Sequence, residues 1–234
     1  MQIFYQPLVA QGVNYLEEEE SRHAVKVLRL KEGASITLID GLGGLYEAII
    51  TKANHRKCEF EVIKKEQDSD KRPYYIHIAI APTKNIDRLE WFVEKSVEFG
   101  VDEISLLLCE HSERKTVKND RLLRKAISAS KQSLKTWVPK INPSQKFNDF
   151  IDNLSDDQQR MIAYVDHNIP QHLKEKALNN KKYCILIGPE GDFSPSEIEK
   201  AFNKGFEAIS LGKSRLRTET AGVAACHILN LINE

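Results

Sequence analysis

What this chain lacks narrows its possibilities first. Its four cysteines, Cys58, Cys109, Cys184 and Cys226, stand far apart with no C-x-x-C pair. That argues against a zinc site or a disulfide framework and predicts reduced, buried thiols in a cytoplasmic protein. No stretch approaches the ~20 consecutive apolar residues that a membrane-crossing helix needs. The N-terminal MQIFYQPLVAQGVNYLEEEE has no basic region ahead of a long apolar core, so no signal peptide is expected. There is no net charge either: 34 Lys and Arg face 34 Asp and Glu. Nucleic-acid binding, if present, must rest on local clusters. Neither G-x-x-x-x-G-K-[ST] nor G-x-G-x-x-G occurs, which removes the P-loop and the dinucleotide fingerprint.

What remains is a soluble globular composition, 41% hydrophobic and 29% charged over 234 residues. That length allows one large domain or two modest ones. Residues 1–72 read as short strands with one short helix, the pattern of a small β-barrel. Ala34–Ile39 and Leu45–Ile50 flank Asp40-Gly41 and Gly43-Gly44 as a hairpin, and Cys58–Ile63 alternates as a further strand. A helix is expected from Glu18 to Val27. The charged run Lys64–Pro73 reads as a linker or an exposed turn between domains.

From residue 73 to 234 the pattern is α/β with a parallel sheet. Tyr75–Ala81, Ile104–Leu108, Met161–Val165, Cys184–Ile187 and Ala208–Leu211 are apolar runs of strand length. Helices are predicted over Ile86–Phe99, stopped by Gly100, over Arg121–Trp137, and over His172–Leu178. Ser194-Pro195-Ser196-Glu197 has the form of a capping box, and Thr218 is the expected cap of a final apolar helix.

Two loops carry the chemistry. Gly188-Pro189-Glu190-Gly191 follows one apolar run and Leu211-Gly212-Lys213-Ser214 follows another. Glycine turns at strand ends let backbone approach a small ligand, although they also serve as plain tight connections. Ser214–Thr220 places Arg215, Arg217 and Glu219 before a helix N-terminus, which favours anions or, alternatively, forms an ion-paired loop. Two basic clusters stand out. One is Arg22, Lys26 and Arg29. The other is His111–Ile141, where nine Lys and Arg oppose only Glu113 and Asp120. Each is a phosphate-contacting patch or a solvated helix face.

GPEG-x-FS-x-x-E at Gly188–Glu197, taken with LG-x-x-x-LRTETA at Leu211–Ala221, resembles the SPOUT RNA methyltransferases. More narrowly it resembles the bacterial enzymes that methylate N3 of a uridine in 16S ribosomal RNA. His23, Val27-Leu28-Arg29, Lys84, Lys95, Glu98, Ser112-Glu113-Arg114, Gln132-Ser133 and Val138-Pro139 fall in the family order, so the likeness spans nearly the whole chain. It implies a PUA-like barrel joined to an α/β domain with a trefoil knot, a homodimer, and no metal. S-adenosylmethionine would be contacted by Gly188, Pro189, Glu190, Gly191, Leu211, Gly212, Ser214, Leu216, Thr218, Thr220 and Ala221, with Thr83 and Leu186. RNA of the small ribosomal subunit would meet Arg22, Lys26, Arg29, Lys84, Arg114, Lys115, Arg121, Lys131 and Lys135. Arg215, Arg217 and Glu219 would serve catalysis, with Glu219 or Glu190 as proton acceptor. The chain departs from the family at Asp192, where a glycine is usual. It departs again at Lys131, where glutamate is usual, and at Lys135, where arginine would bind bidentately. The rival reading is a non-catalytic RNA-binding or ribosome-assembly protein with a vestigial pocket.

Overall fold

Apolar strands that run without alternation end up covered on both faces, and that is how residues 75–209 are used. A computed structural model describes residues 2–67, 72–165 and 171–234, so the middle of the expected linker, 68–71, lies outside the described residues. The chain divides into two units, Met1–Lys71 with Ile127–Val138, and Arg72–Ala126 with Pro139–Glu234.

The first unit contains β1 (Ile3–Tyr5), β2 (Tyr15–Leu16), α1 (Glu18–Arg22), β3 (Ser35–Ile39), β4 (Gly44–Lys52) and β5 (Cys58–Gln67). Its sheet runs β1-β3-β4-β5-β2. The edge strands are bridged by a side chain: buried Gln6 donates from Nε2 to the Tyr15 carbonyl at 2.6 Å, which nearly closes the barrel. Phe4, Leu16, Leu38, Ile50 and Phe60 fill it. The helix expected to Val27 changes at His23 into a π-helical turn, His23–Val27, and Arg29 follows in the left-handed region at φ 56. The hairpin turn is set by Asp40, whose Oδ1 accepts from the Leu42 and Gly44 amides at 2.7 and 2.9 Å. Trp137 lies over that turn, and a Cβ on Gly43 would come within 2.5 Å of it.

The second unit is a parallel sheet of β6 (Tyr75–Ile80), β7 (Glu103–Leu108), β8 (Lys140–Ile141), β9 (Gln145–Lys146), β10 (Gln159–Ala163), β11 (Lys182–Ile187) and β12 (Glu207–Ile209). The order is β12-β10-β11-β6-β7-β8, with β9 also pairing β7. Its helices are α2 (Ile86–Phe99), α3 (Asn119–Gln132, continuing past Ala126 into the first unit), α4 (Phe147–Asp152), α5 (Leu173–Lys176), α6 (Pro195–Asn203) and α7 (Thr218–Leu231). Asn85 caps α2 by accepting from the Asp87 amide, and Gly100 ends it at φ 101. The capping box at Ser194 and Glu197 is complete, with Pro195 in the first turn. All four cysteines are free and buried. No helix among the described residues is long and apolar enough to cross a membrane.

Four local expectations need correction. α3 stops at Gln132 rather than Trp137: Ser133 donates back to the Ala129 carbonyl at 2.7 Å and Leu134 turns left-handed at φ 58. α5 is shorter than His172–Leu178 because Ala177 is already extended. β12 ends at Ile209, two residues before Leu211, where its pairing with β10 stops at Ala163. Thr218 is the first helical residue of α7, not its cap. Arg217 holds the cap position without a side-chain bond.

One buried polar cluster has a pH consequence. His77 in β6 is 5% exposed and its Nε2 lies 2.8 Å from Ser105 Oγ. Asn142 donates to the same Oγ at 2.8 Å and to Glu103, which also accepts from Tyr75 at 2.9 Å. Burial lowers the His77 pKa from 6.5 to about 4, with Glu103 opposing the shift and Lys140 adding to it. A base whose folded pKa is depressed stays neutral while the unfolded chain takes up a proton. Its stabilising contribution is therefore full above pH 6.5 and lost as pH falls towards 4. The expected loss at pH 5 is about 2 kcal/mol. Urea unfolding at pH 7 and pH 5 checks this: His77→Gln should show a clearly smaller loss than the unmodified protein, and equal losses would remove His77 as the cause.

Candidate functional site

At the carboxyl end of β11 the backbone leaves the sheet as Gly188-Pro189-Glu190-Gly191-Asp192. Four other segments hold this loop. Glu190 Oε1 accepts from the Lys84 amide at 3.0 Å, after β6. His111 Nδ1, after β7, lies 3.0 Å from both the Gly191 and Asp192 carbonyl oxygens, so that nitrogen carries the proton. Asp192 Oδ2 accepts from the Val165 amide at 2.8 Å, after β10. Thr218 Oγ1, at the start of α7, donates to the Gly188 carbonyl at 3.0 Å.

A cavity of about 680 Å³ opens beside the loop. Its walls are Gly188, Pro189, Glu190 and Asp192, then Ile209 to Thr218 and Ala221, with Ala163–Val165, Ile187 and Arg88. The volume falls within the roughly 300–1,000 Å³ usual for small-molecule sites. Ile187, Ile209, Leu211, Leu216 and Ala221 give it apolar surface, and the two loops add backbone donors and acceptors. These walls fit a heterocycle with hydroxyls at its edge better than a polyphosphate, which would need a cradle of amides and a P-loop lysine.

Of the residues expected to hold the cofactor, Gly188, Pro189, Glu190, Leu211, Gly212, Ser214, Leu216, Thr218 and Ala221 line this cavity. Four do not. Leu186 is turned into the core, because side chains alternate along a strand and its neighbour Ile187 takes the cavity face. Thr83 is buried and donates to the Asn85 carbonyl at 2.7 Å, shaping the turn before α2. Gly191 lies against His111, its Cβ position 3.1 Å from the His111 Cβ. Thr220 lines a second cavity of about 550 Å³ with Asp87, Arg88, Trp91, Arg215, Leu216, Arg217 and Glu219. Arg88, Arg215, Leu216 and Arg217 belong to both cavities.

Glu219 is the notable group there. Its side chain is 8% exposed, its Oε1 lies 3.8 Å from Arg88 Nε, and its Oε2 is buried without a hydrogen-bond partner. Arg215 and Arg217 are exposed on the shared wall. Sequence reasoning missed Arg88 and the end of β10, since nothing in the chain says that β10 lies between β11 and β12. Helical spacing from the Asn85 cap would have placed Arg88 in the first turn of α2, at the sheet edge where the loops lie.

The basic stretch is largely spent inside its own unit. Arg121 pairs with Glu90 and, at 3.4 Å, with Asp87; Lys125 pairs with Glu94 at 3.3 Å. Arg114 donates to the Thr83 and Lys84 carbonyls at 3.1 and 2.7 Å, and Lys115 to that of Cys109 at 3.4 Å. Lys84 pairs with Glu113 at 2.8 Å. In the other unit Lys131 pairs with Glu20, and Arg22 with Glu18 at 2.7 Å. Lys26 and Arg29 are exposed, and Lys135 is half-buried.

Residues 70–230 match the model of an RNA methyltransferase domain, and residues 16–63 that of an RNA methyltransferase PUA domain. A crystal structure described as a probable rRNA methyltransferase from Porphyromonas gingivalis superposes with a TM-score of 0.90 at 42% identity, covering 99% of both chains. The ribosomal RNA small subunit methyltransferase E of Neisseria gonorrhoeae, solved bound to S-adenosyl methionine, gives 0.87 at 28% identity, covering 100% of this chain and 98% of that one. A protein of the same name from Buchnera aphidicola (subsp. Acyrthosiphon pisum) is 28% identical over 218 residues, 90% of this chain and 85% of its own length. The domain match covers well over half of the sequence, and it falls on the unit that carries the two cavities. The chain belongs to the RNA methyltransferase family.

Proposed function

We propose that this protein transfers a methyl group from S-adenosylmethionine to N3 of a uridine in the 16S RNA of the small ribosomal subunit. The observation that carries the reading is the pair of adjoining cavities at the carboxyl edge of the second unit's sheet, sharing the wall Arg215–Arg217. One suits the cofactor by size and lining. The other is lined by Glu219, whose Oε2 is buried without a hydrogen-bond partner. The names of the small-subunit rRNA methyltransferase relatives, one of them with the cofactor bound, support it.

When bound, the cofactor supplies an electrophilic methyl group on a sulfonium centre. The protein's own task is to hold the base and move a proton. Uracil N3 is protonated in the neutral base and must lose that proton to accept the methyl. Glu219 is the proton acceptor in this reading, because Oε2 has no hydrogen-bond partner. Glu190 is not, because its Oε1 already accepts from the Lys84 amide and orders the loop. Arg88 orients the Glu219 carboxylate. Arg215 and Arg217 stabilise negative charge developing on the uracil oxygens, or hold the neighbouring phosphate. Residues 1–72 form the RNA-binding barrel, with Lys26 and Arg29 offering exposed cations. A trefoil-knotted backbone around the cofactor loops, a homodimer and a cytoplasmic setting complete the proposal. A non-catalytic binder would gain nothing from two facing glycine loops.

Three measurements test it. Glu219→Gln should lower kcat by at least ~100-fold, the usual effect of losing a general base, while S-adenosylmethionine affinity by calorimetry stays within about twofold. Arg217→Ala should abolish methylation while cofactor binding largely persists. Loss of that binding would sink the division of roles. Nucleoside mass spectrometry of 16S RNA from a strain lacking the gene should show 3-methyluridine missing. An unchanged content would defeat the uracil-N3 assignment.

A further inference from the structure

We infer that Asp192 is a positioning residue that sets the affinity of the cofactor cavity by tying the end of β10 to the Gly188–Asp192 loop. Asp192 sits in the left-handed region at φ 64. Glycine is the strain-free occupant there, and among side-chain-bearing residues Asn and Asp bear it best. Two hydrogen bonds account for the side chain, beside one that its backbone amide makes. The backbone amide donates to the Pro189 carbonyl at 2.9 Å, which closes the turn. Oδ1 accepts from the Phe193 amide at 2.8 Å, and Oδ2 from the Val165 amide at 2.8 Å.

The third bond reaches across the cavity edge. β10 and β11 pair only as far as Ala163 and Ile187. Beyond that register the two chains separate, and Tyr164, Val165 and Asp192 all line the space between them. A carboxylate that accepts from a backbone amide restores one ladder-like link where the ladder has ended. It ties two walls of the cavity to each other. Both ends of the link face the cavity, so its effect falls on the cofactor and not on the acceptor base. The inference rests on the cavity being the cofactor's.

Calorimetric titration with S-adenosylmethionine tests it on the full chain. Asp192→Ala and Asp192→Gly should each weaken affinity about tenfold, the order expected for a hydrogen bond to a charged acceptor. Steady-state assays should show a matching rise in KM for the cofactor with kcat nearly unchanged. Amide exchange at Val165 should quicken in both. Asp192→Asn tolerates the left-handed backbone but has one carbonyl oxygen for the two amides of Phe193 and Val165, so its affinity should fall between that of Asp192→Ala and that of the unmodified protein. Asp192→Gly also relieves the backbone strain, so a folding defect would separate it from Asp192→Ala while leaving both weak. Wild-type binding with unaltered affinity in Asp192→Ala overturns the inference and leaves the cofactor reading intact. A wild-type protein that gives no heat with S-adenosylmethionine overturns the reading and the inference together.

Discussion

The second unit depends on how the backbone of Gly188–Asp192 is held. A loop that leaves a parallel sheet exposes amides and carbonyls that the ladder no longer satisfies, and each one left unpaired and buried costs free energy. Here Thr218 and His111 take up the Gly188, Gly191 and Asp192 carbonyls, and the loop's Glu190 and Asp192 carboxylates in turn accept from the Lys84 and Val165 amides. The carboxyl ends of β6, β7 and β10 and the start of α7 are thereby fixed to a single turn. A cavity bounded by that turn has walls tied to one another by hydrogen bonds.

The same economy explains the charge pattern. An excess of basic residues between His111 and Ile141 looks like a surface for phosphate. Yet α2 lays Asp87, Glu90 and Glu94 against Arg121 and Lys125. Lys84 is met by Glu113, and Arg114 is consumed by two carbonyls. Exposed pairs of this kind contribute little stability each. Their effect is to neutralise the field locally, which leaves the cations near the two cavities, Arg88, Arg215 and Arg217, as the more distinctive ones.

Much of this was legible in the sequence because it is local. The α6 capping box needs only Ser194, Pro195 and Glu197, and the stop at Gly100 needs only its own φ. The β6-α2-β7 unit followed from two apolar runs around a helical period. The glycine loops were visible as punctuation after strands. What was hidden is long-range. Strand order is not written in any window, so Tyr164 and Val165 could not be joined to Gly188. Thr218 reads as a cap because threonine usually caps, but the Gly188 carbonyl, thirty residues earlier, captures its hydroxyl instead. Lys131 reads as an exposed cation because its partner, Glu20, lies 111 residues away in the chain.

The pairing of Arg88 with Glu219 shows how packing sets electrostatics at this site. Gly222 on α7 is buried, and a Cβ there would come within 2.5 Å of the Phe92 ring on α2. The two helices therefore approach more closely at that level than side-chain-bearing residues would permit. Arg88 precedes Phe92 by one helical turn, and Glu219 precedes Gly222 by nearly one. The contact between a ring and a missing methyl thus lies one turn below the contact between a guanidinium and a carboxylate, and it sets their spacing. At 3.8 Å the arginine is near enough to neutralise the carboxylate's field, but it binds only one oxygen. The other oxygen is buried without a hydrogen-bond partner. A closer helix pair would let the guanidinium grip both oxygens and close the site. A wider one would leave a buried charge uncompensated, at a cost of several kcal/mol. The glycine holds the pair between those limits, and that spacing is what makes a buried carboxylate tolerable to the fold.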